Sequence, residues 1–230
     1  MKGEQMKAVR LNEYGGYDVL KIEDVPEPTP RSHHVLIKVD SAGVNYADVL
    51  RRGGNYPGPE LPSSMGLEAA GTVMEVGLDV IGISVGQKVM GMGPGSQAEY
   101  VAINGSLVFP YPDSLDPVEA GGMPIVFLTS YHILKSRGQM QAGDTVLIQA
   151  GASGVGTVLI QFAKAWGAKV IATASTQDKL DLCTSLGADV TINYTEADFE
   201  AAIKDETGGE GVQVVAECVG GEVLEKSVRC

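Results

Sequence analysis

Apolar and polar positions follow two different patterns along the chain. Up to about Phe127 the apolar residues fall in short runs, VLIKVDSAGV, GTVMEVG, QKVMGM and AEYVAI, cut by Gly and Pro, which predicts a β-rich, loop-rich region. Within it, Asn45–Asp48 and Arg51–Pro57 read as loops of unusual content. From Leu128 a helical stretch leads to strand TVLIQA, and Val155, Leu159, Phe162, Ala163 and Trp166 then recur at helical spacing. Strand KVIATAS, helix TQDKLDLCTSLG, strand DVTINY, a helix around EADFEAAIKDETG and strand GVQVVAEC follow. Strands alternating with helices of about one crossover length predict a parallel sheet with helices on both faces. The expected organisation is a mixed α/β chain of two domains, residues 1–127 and 128–230.

The join between the first strand and first helix of the second half carries QAGASGVGT, with glycines at 151, 154 and 156. Alone, G-x-x-G-x-G describes many tight turns. Between a strand and a helix it predicts a phosphate seat, where backbone N–H groups approach a pyrophosphate and the helix N-terminus stabilises its charge. Gly151, Ser153, Gly154, Val155 and Gly156 are therefore candidate cofactor-binding residues. In NAD-binding units an acidic residue ~20 residues further on holds the ribose hydroxyls. Here that place reads ATASTQ, with no carboxylate before Asp178, whereas Ser175 and Lys179 are suited to a 2′-phosphate. The pocket thus favours NADPH, although Lys179 also fits as an ordinary solvated lysine in the first turn of a helix.

Composition narrows the function classes. Seventeen basic against 29 acidic residues give a net charge of −12, a field that repels nucleic-acid backbones and anionic lipid. Cys183, Cys218 and Cys230 lack the short spacing that chelates zinc, and a reducing compartment fits them best. Cys218, at the end of the fourth strand, reads as a buried small residue. The polar start MKGEQMKAVR has no signal-peptide core and no window approaches a membrane span, so the cytoplasm is the expected location.

The chain resembles the medium-chain dehydrogenase/reductase family, in its zinc-free, zeta-crystallin-like quinone oxidoreductase branch. The resemblance is carried by MKAVRLNEYGGYDVLKIEDVPEP, GVNYADVLRRGGNYPGP, GLEAAGTVMEVG, the stretch from AGDTVLIQAGASGVG to AKVIATAS, and GVQVVAECVGG. It implies a GroES-like catalytic domain followed by a Rossmann domain. Zinc-dependent relatives place a Cys where this chain has Asn45 and a His where it has Leu67, before Glu68, so no metal is expected. Without a Lewis acid, alcohol oxidation lacks a means of stabilising an alkoxide. A quinone is already electron-poor, and its reduced oxygens can take protons from water, so the implied reaction is hydride or electron transfer from NADPH to a quinone.

The resemblance also implies site residues. Tyr56 would line the substrate side with its hydroxyl available to a quinone oxygen, and Ser153 would lie near the nicotinamide. Asn45 and Asp48 would shape the pocket floor, with turn-fixing roles equally open. Thr129, at the start of the interdomain helix, and Tyr194, after the third strand, resemble cofactor contacts, with an N-cap and a strand-end packing role as alternatives. Relatives continue past VGGEVLEKSVRC. Only four of the six strands of a full dinucleotide fold are expected here, so the Rossmann domain reads as incomplete, with an apolar edge at strand four. In relatives the further strands serve homodimerisation and the nicotinamide half of the pocket. An NADPH-dependent enal or enone double-bond reductase, and a non-catalytic cofactor- or partner-binding chain, remain alternative readings.

Overall fold

A computed structural model describes residues 5–230. The first four residues, part of the polar start read above as lacking a signal core, lie outside the described residues. The chain divides into two compact units, one ending at Ile125 and the other beginning at Val126.

The first unit opens with β1 (Gln5–Leu11) and β2 (Leu20–Pro26), and continues through β3 (His34–Ala42), α1 (Tyr46–Arg52), β4 (Ser63–Ser64), β5 (Glu68–Val76), β6 (Lys88–Met92), β7 (Tyr100–Asn104), β8 (Val108–Pro110) and α2 (Pro117–Gly121). An antiparallel five-stranded sheet has the order β7-β3-β5-β6-β8, and a smaller sheet has the order β2-β1-β4. Irregularities between Leu36 and Ile37 and between Val39 and Ser41 break the β3–β5 register. Such bulges sharpen local twist, and this sheet curls around the buried side chains of Val35, Ile37, Val73, Val89, Val101 and Ile103.

Residues Tyr46–Arg52 form a helix that takes in most of the first segment read as a loop, Asn45–Asp48, and the first two residues of the second, Arg51–Pro57. Asn45 is its N-cap, the Asp48 carboxylate accepts from the Asn45 N–H at 2.8 Å, and Arg51 and Arg52 fall in the last turn, where cations complement the helix dipole.

The second unit holds most of α3 (Pro124–Tyr131), which runs into a π-helical turn over His132–Arg137, then β9 (Thr145–Ile148), α4 (Gly154–Ala165), β10 (Lys169–Ala174), α5 (Gln177–Ser185), β11 (Val190–Asn193), α6 (Phe199–Glu206), β12 (Val214–Ala216) and α7 (Gly221–Ser227). The strands are parallel in the order β11-β10-β9-β12, the Rossmann arrangement around its first strand. Strand alternation sends Val146 and Ile148 to one face and Leu147 to the other. The first face is covered by Leu159, Ile160 and Ala163 of α4, the second by Phe199 and Ile203 of α6. Edge-to-face contact of Phe127 with Phe162, centroids 5.5 Å apart, packs α3 on α4.

Two expectations are corrected here. Thr129 is the sixth residue of α3, well inside the helix, so an N-cap role is excluded. Cys218 lies beyond β12 and is exposed, because the strand ends two residues earlier. Among the described residues, no helix is long and apolar enough to cross a membrane.

Candidate functional site

In the second unit, β9 leads into the glycine-rich turn. Ala150 adopts φ of 50°, turning the chain from strand towards helix. The Gly151 N–H donates to the Thr173 carbonyl at 2.9 Å, and the Ser153 N–H to the Ala150 carbonyl at 2.9 Å. Ser153 is the N-cap of α4, its hydroxyl accepting from the Gly156 N–H at 3.0 Å. Among the described residues, the turn amides without a protein acceptor are those of Ala152, Gly154 and Val155. These three are the donors left for an anion. Gly156 serves packing instead, since a Cβ there would collide with the Ala150 carbonyl oxygen. Of the predicted residues, Gly154 and Val155 keep free amides, as does Ala152, which the sequence reading did not single out, whereas the amides of Gly151, Ser153 and Gly156 are spent on protein acceptors.

A cavity of about 170 Å³ opens beside this turn, lined by Ala150, Ala152, Ser153, Ser175, Lys179 and Tyr194 among others. Four of the predicted cofactor residues line it: Ser153, Ser175, Lys179 and Tyr194. The Lys179 Nζ lies 3.5 Å from the Ser175 Oγ. Tyr194 follows β11, its N–H donating to the Ala174 carbonyl, and it also borders a second cavity of about 250 Å³ with Gln149, Phe199 and Val219.

Thr129 lines neither cavity. α3 meets the turn instead through Val126, beside Gly154, and through the buried Ser130, whose hydroxyl donates to the Val155 carbonyl at 3.2 Å. Sequence reasoning also passed over Gln149. Its side chain is buried at the end of β9, accepts from the Thr173 hydroxyl at 2.5 Å and donates to Ser227 at 3.0 Å. This chain of three polar groups joins β9, β10 and α7 beneath the turn. A Gln closing an apolar strand was the available signal.

In the first unit, the predicted substrate-side residues gather around α1. Tyr56 borders a small cavity with Asp48, Arg51, Pro57, Leu67 and Pro94 among its walls. The buried Arg51 donates to the Tyr14 hydroxyl at 3.2 Å, to Ser63 at 3.4 Å and to the Pro59 carbonyl, so it ties α1 to the Tyr14 loop and to the segment that follows Gly58. Asn45 is half-buried and donates from Nδ2 to the Glu68 carboxylate at 2.6 Å. Glu68, 1% exposed, also accepts from the Ile125 N–H at 2.7 Å. Burial pushes the Glu68 carboxyl above the usual carboxylate range against the pull of these two donors, with the Asp48 charge adding to the rise. Burial likewise raises Asp48, opposed by the N–H groups of Asn45 and Gly66. Among the described residues, no three His, Cys, Asp or Glu side chains cluster in a way that would hold a metal.

This architecture matches known proteins. Residues 31–113 fit the family model for an alcohol dehydrogenase GroES-like domain, and residues 154–230 that for a zinc-binding dehydrogenase. The quinone oxidoreductase of Rattus norvegicus is 33% identical over 97% of this chain and 69% of its own length. The structure of Escherichia coli quinone oxidoreductase complexed with NADPH superimposes with a TM-score of 0.91 at 32% identity, over 97% of this chain and 69% of that one. The 2-methylene-furan-3-one reductase of Solanum lycopersicum is 39% identical over 85% of this chain and 54% of its own length. At 34% identity over 99% of its length, the chain also matches a phenolphthiocerol/phthiocerol polyketide synthase protein of Mycobacterium tuberculosis, of which it spans only 10%.

The chain belongs to the medium-chain dehydrogenase/reductase family, among the zeta-crystallin-like quinone oxidoreductases. It spans about 70% of the solved quinone oxidoreductases it matches.

Proposed function

We propose that this chain is the NADPH-binding and substrate-binding part of a zinc-independent oxidoreductase that reduces quinones. The observation that carries the cofactor choice is the pairing of Ser175 with Lys179 at the rim of the glycine-turn cavity, with no carboxylate at the end of β10. A ribose 2′-phosphate finds a cation and a hydroxyl there, where NAD-specific sites present an acid. The free amides of Ala152, Gly154 and Val155 and the N-terminal end of α4 are suited to the diphosphate. NADPH, when bound, supplies the hydride. The E. coli relative solved with NADPH supports this choice.

On the substrate side, the Tyr56 hydroxyl donates to a quinone oxygen, with Asn45 at the cap of α1, the helix whose Ala47, Asp48 and Arg51 line the cavity that Tyr56 borders. Zinc independence is supported by donor chemistry: Asn45 and Leu67 stand where zinc-dependent relatives carry Cys and His, and neither supplies a thiolate or an imidazole. Asn45 has its amide nitrogen engaged by Glu68 in any case. A second reading, reduction of activated carbon–carbon double bonds with the same cofactor, is favoured by the similarity to the tomato furanone reductase. NADPH consumption followed by absorbance across matched quinones and enones separates the two. Faster turnover of quinones is expected, preference for enones would replace the first reading with the second, and a folded chain stabilised by NADPH without turnover would leave a binding role.

A further inference from the structure

We propose that Glu68 is a positioning residue for the substrate side, its carboxylate setting the carboxamide of Asn45 in one orientation. The inference rests on the reading of Asn45 as a residue bordering substrate. An Asn side chain in isolation can exchange its oxygen and nitrogen by a half-turn, offering a ligand either an acceptor or donors from the same place. Here that choice is made from below. On its buried side the carboxamide nitrogen meets Glu68 Oε1 at 2.6 Å, a carboxylate that accepts without donating, while its oxygen faces the Asp48 N–H of the capping box. Nδ2 is therefore committed to Glu68, and only its second N–H is left over to donate. The Asn45 main chain is fixed independently, its N–H held by Asp48 at 2.8 Å. The leftover N–H thus has a set direction, as a donor to a substrate carbonyl must have if it is to act without reorganising.

The chain is built around this carboxylate. The second oxygen of Glu68 accepts from the Ile125 N–H at 2.7 Å, so each oxygen faces a donor. Position 43 is glycine where any Cβ would collide with Glu68 Oε1. A neutral isostere cannot do the same work. Gln at position 68 has one acceptor atom for two donors on opposite sides, so either Ile125 loses its partner or the Asn45 carboxamide must turn over and present its oxygen.

The test uses Glu68→Gln, Asn45→Ala and the double variant of the full chain, with two independent readouts. The first is the side-chain amide signals of Asn45 in a nitrogen-15 correlation spectrum, identified by their loss in Asn45→Ala. In Glu68→Gln these signals should shift and lose protection from solvent exchange. The second readout is steady-state reduction of a quinone by NADPH. Glu68→Gln should lower kcat about tenfold or more, the scale on which a lost transition-state donor acts, while the NADPH dissociation constant stays unchanged and the double variant is no slower than Asn45→Ala. Unmoved amide signals, or kcat losses that multiply in the double variant, would overturn the proposal. The spectrum needs no turnover, so a wild-type chain inert towards quinones counts against the function proposed above, while the signals still decide whether Glu68 sets Asn45.

Discussion

The Nζ of Lys179 stands 3.5 Å from the Oγ of Ser175, across the first turn of α5, and both border the cavity beside the glycine turn. No ion pair occupies this lysine among the described residues, so its charge is available to an anion. A charge-assisted hydrogen bond contributes roughly 1.5–3 kcal/mol. Lys179→Ala should therefore weaken NADPH binding about tenfold to a hundredfold and leave NADH binding nearly unchanged. Calorimetric titration with both nucleotides checks this, and an equal loss for the two would show that Lys179 does not read the 2′-phosphate.

The buried chain Thr173–Gln149–Ser227 gives a prediction about stability. Thr173→Val keeps shape but removes the hydroxyl donating to Gln149 Oε1, leaving a buried acceptor with no partner. Such a loss costs roughly 1–3 kcal/mol. The variant should show that drop in unfolding free energy by urea titration with an unchanged slope. A Thr173→Val, Gln149→Leu pair should recover part of it, since removing both partners is cheaper than removing one. A double variant as unstable as the sum of the singles would mean the three groups do not act as a chain.

Much of the second unit was legible because its elements bury what they are built from. The α4 positions Val155, Leu159, Phe162 and Ala163 recur at helical spacing because they pack against the sheet or against neighbours on it, and burial is what writes a period into sequence. α1 left no such trace. It is only seven residues long, and Tyr46 is 76% and Val49 44% exposed, so its apolar residues mark no face. The legible signal was the Asn45 and Asp48 spacing of a capping box, which also suits a turn. Pro124 at the first position of α3 would have placed the helix start and moved Thr129 into its interior. Glu68 could be read only as the residue after Leu67. Its importance lies in partners 23 and 57 positions away, which no local pattern encodes.

Glu68 and Asp48 also set a pH dependence. Burial holds both carboxyls above the usual range, so between the ordinary carboxylate values and these raised ones the folded chain binds more protons than the unfolded one. Stability must fall as pH rises through that window. Asp189 acts with the opposite sign: burial alone would raise it, but Lys164 and the Val170 N–H hold it below the usual range, so its contribution is lost as pH falls through that lower value. Glu68→Gln should flatten the decline on the rising side and leave the acid limb unchanged. Urea unfolding at a series of pH values from about 4 to about 8 spans the relevant range, and a decline as steep as wild type would assign it to other groups.

Arg51 and Tyr56 supply the last prediction. Arg51 is 8% exposed, and no carboxylate lies within ion-pairing distance of it among the described residues. Its guanidinium is satisfied by the Pro59 carbonyl, the Ser63 and Tyr14 hydroxyls, and the Tyr14 ring, whose centroid is 5.7 Å away. A buried cation held wholly by neutral groups gives the loop around it a single conformation, because each partner released leaves a donor unpaired. Arg51→Met retains the aliphatic bulk and loses every one of these bonds. Tyr56 should then lose its fixed place: the KM for quinone should rise about tenfold, as expected for roughly 1.4 kcal/mol of lost binding, with NADPH affinity intact. Limited proteolysis should cut first between Gly53 and Ser63. Arg51→Lys keeps the charge but not the fork of donors, and should resemble Arg51→Met more than wild type. If the lysine variant instead behaves as wild type, the positive charge and not the loop geometry is what Arg51 contributes.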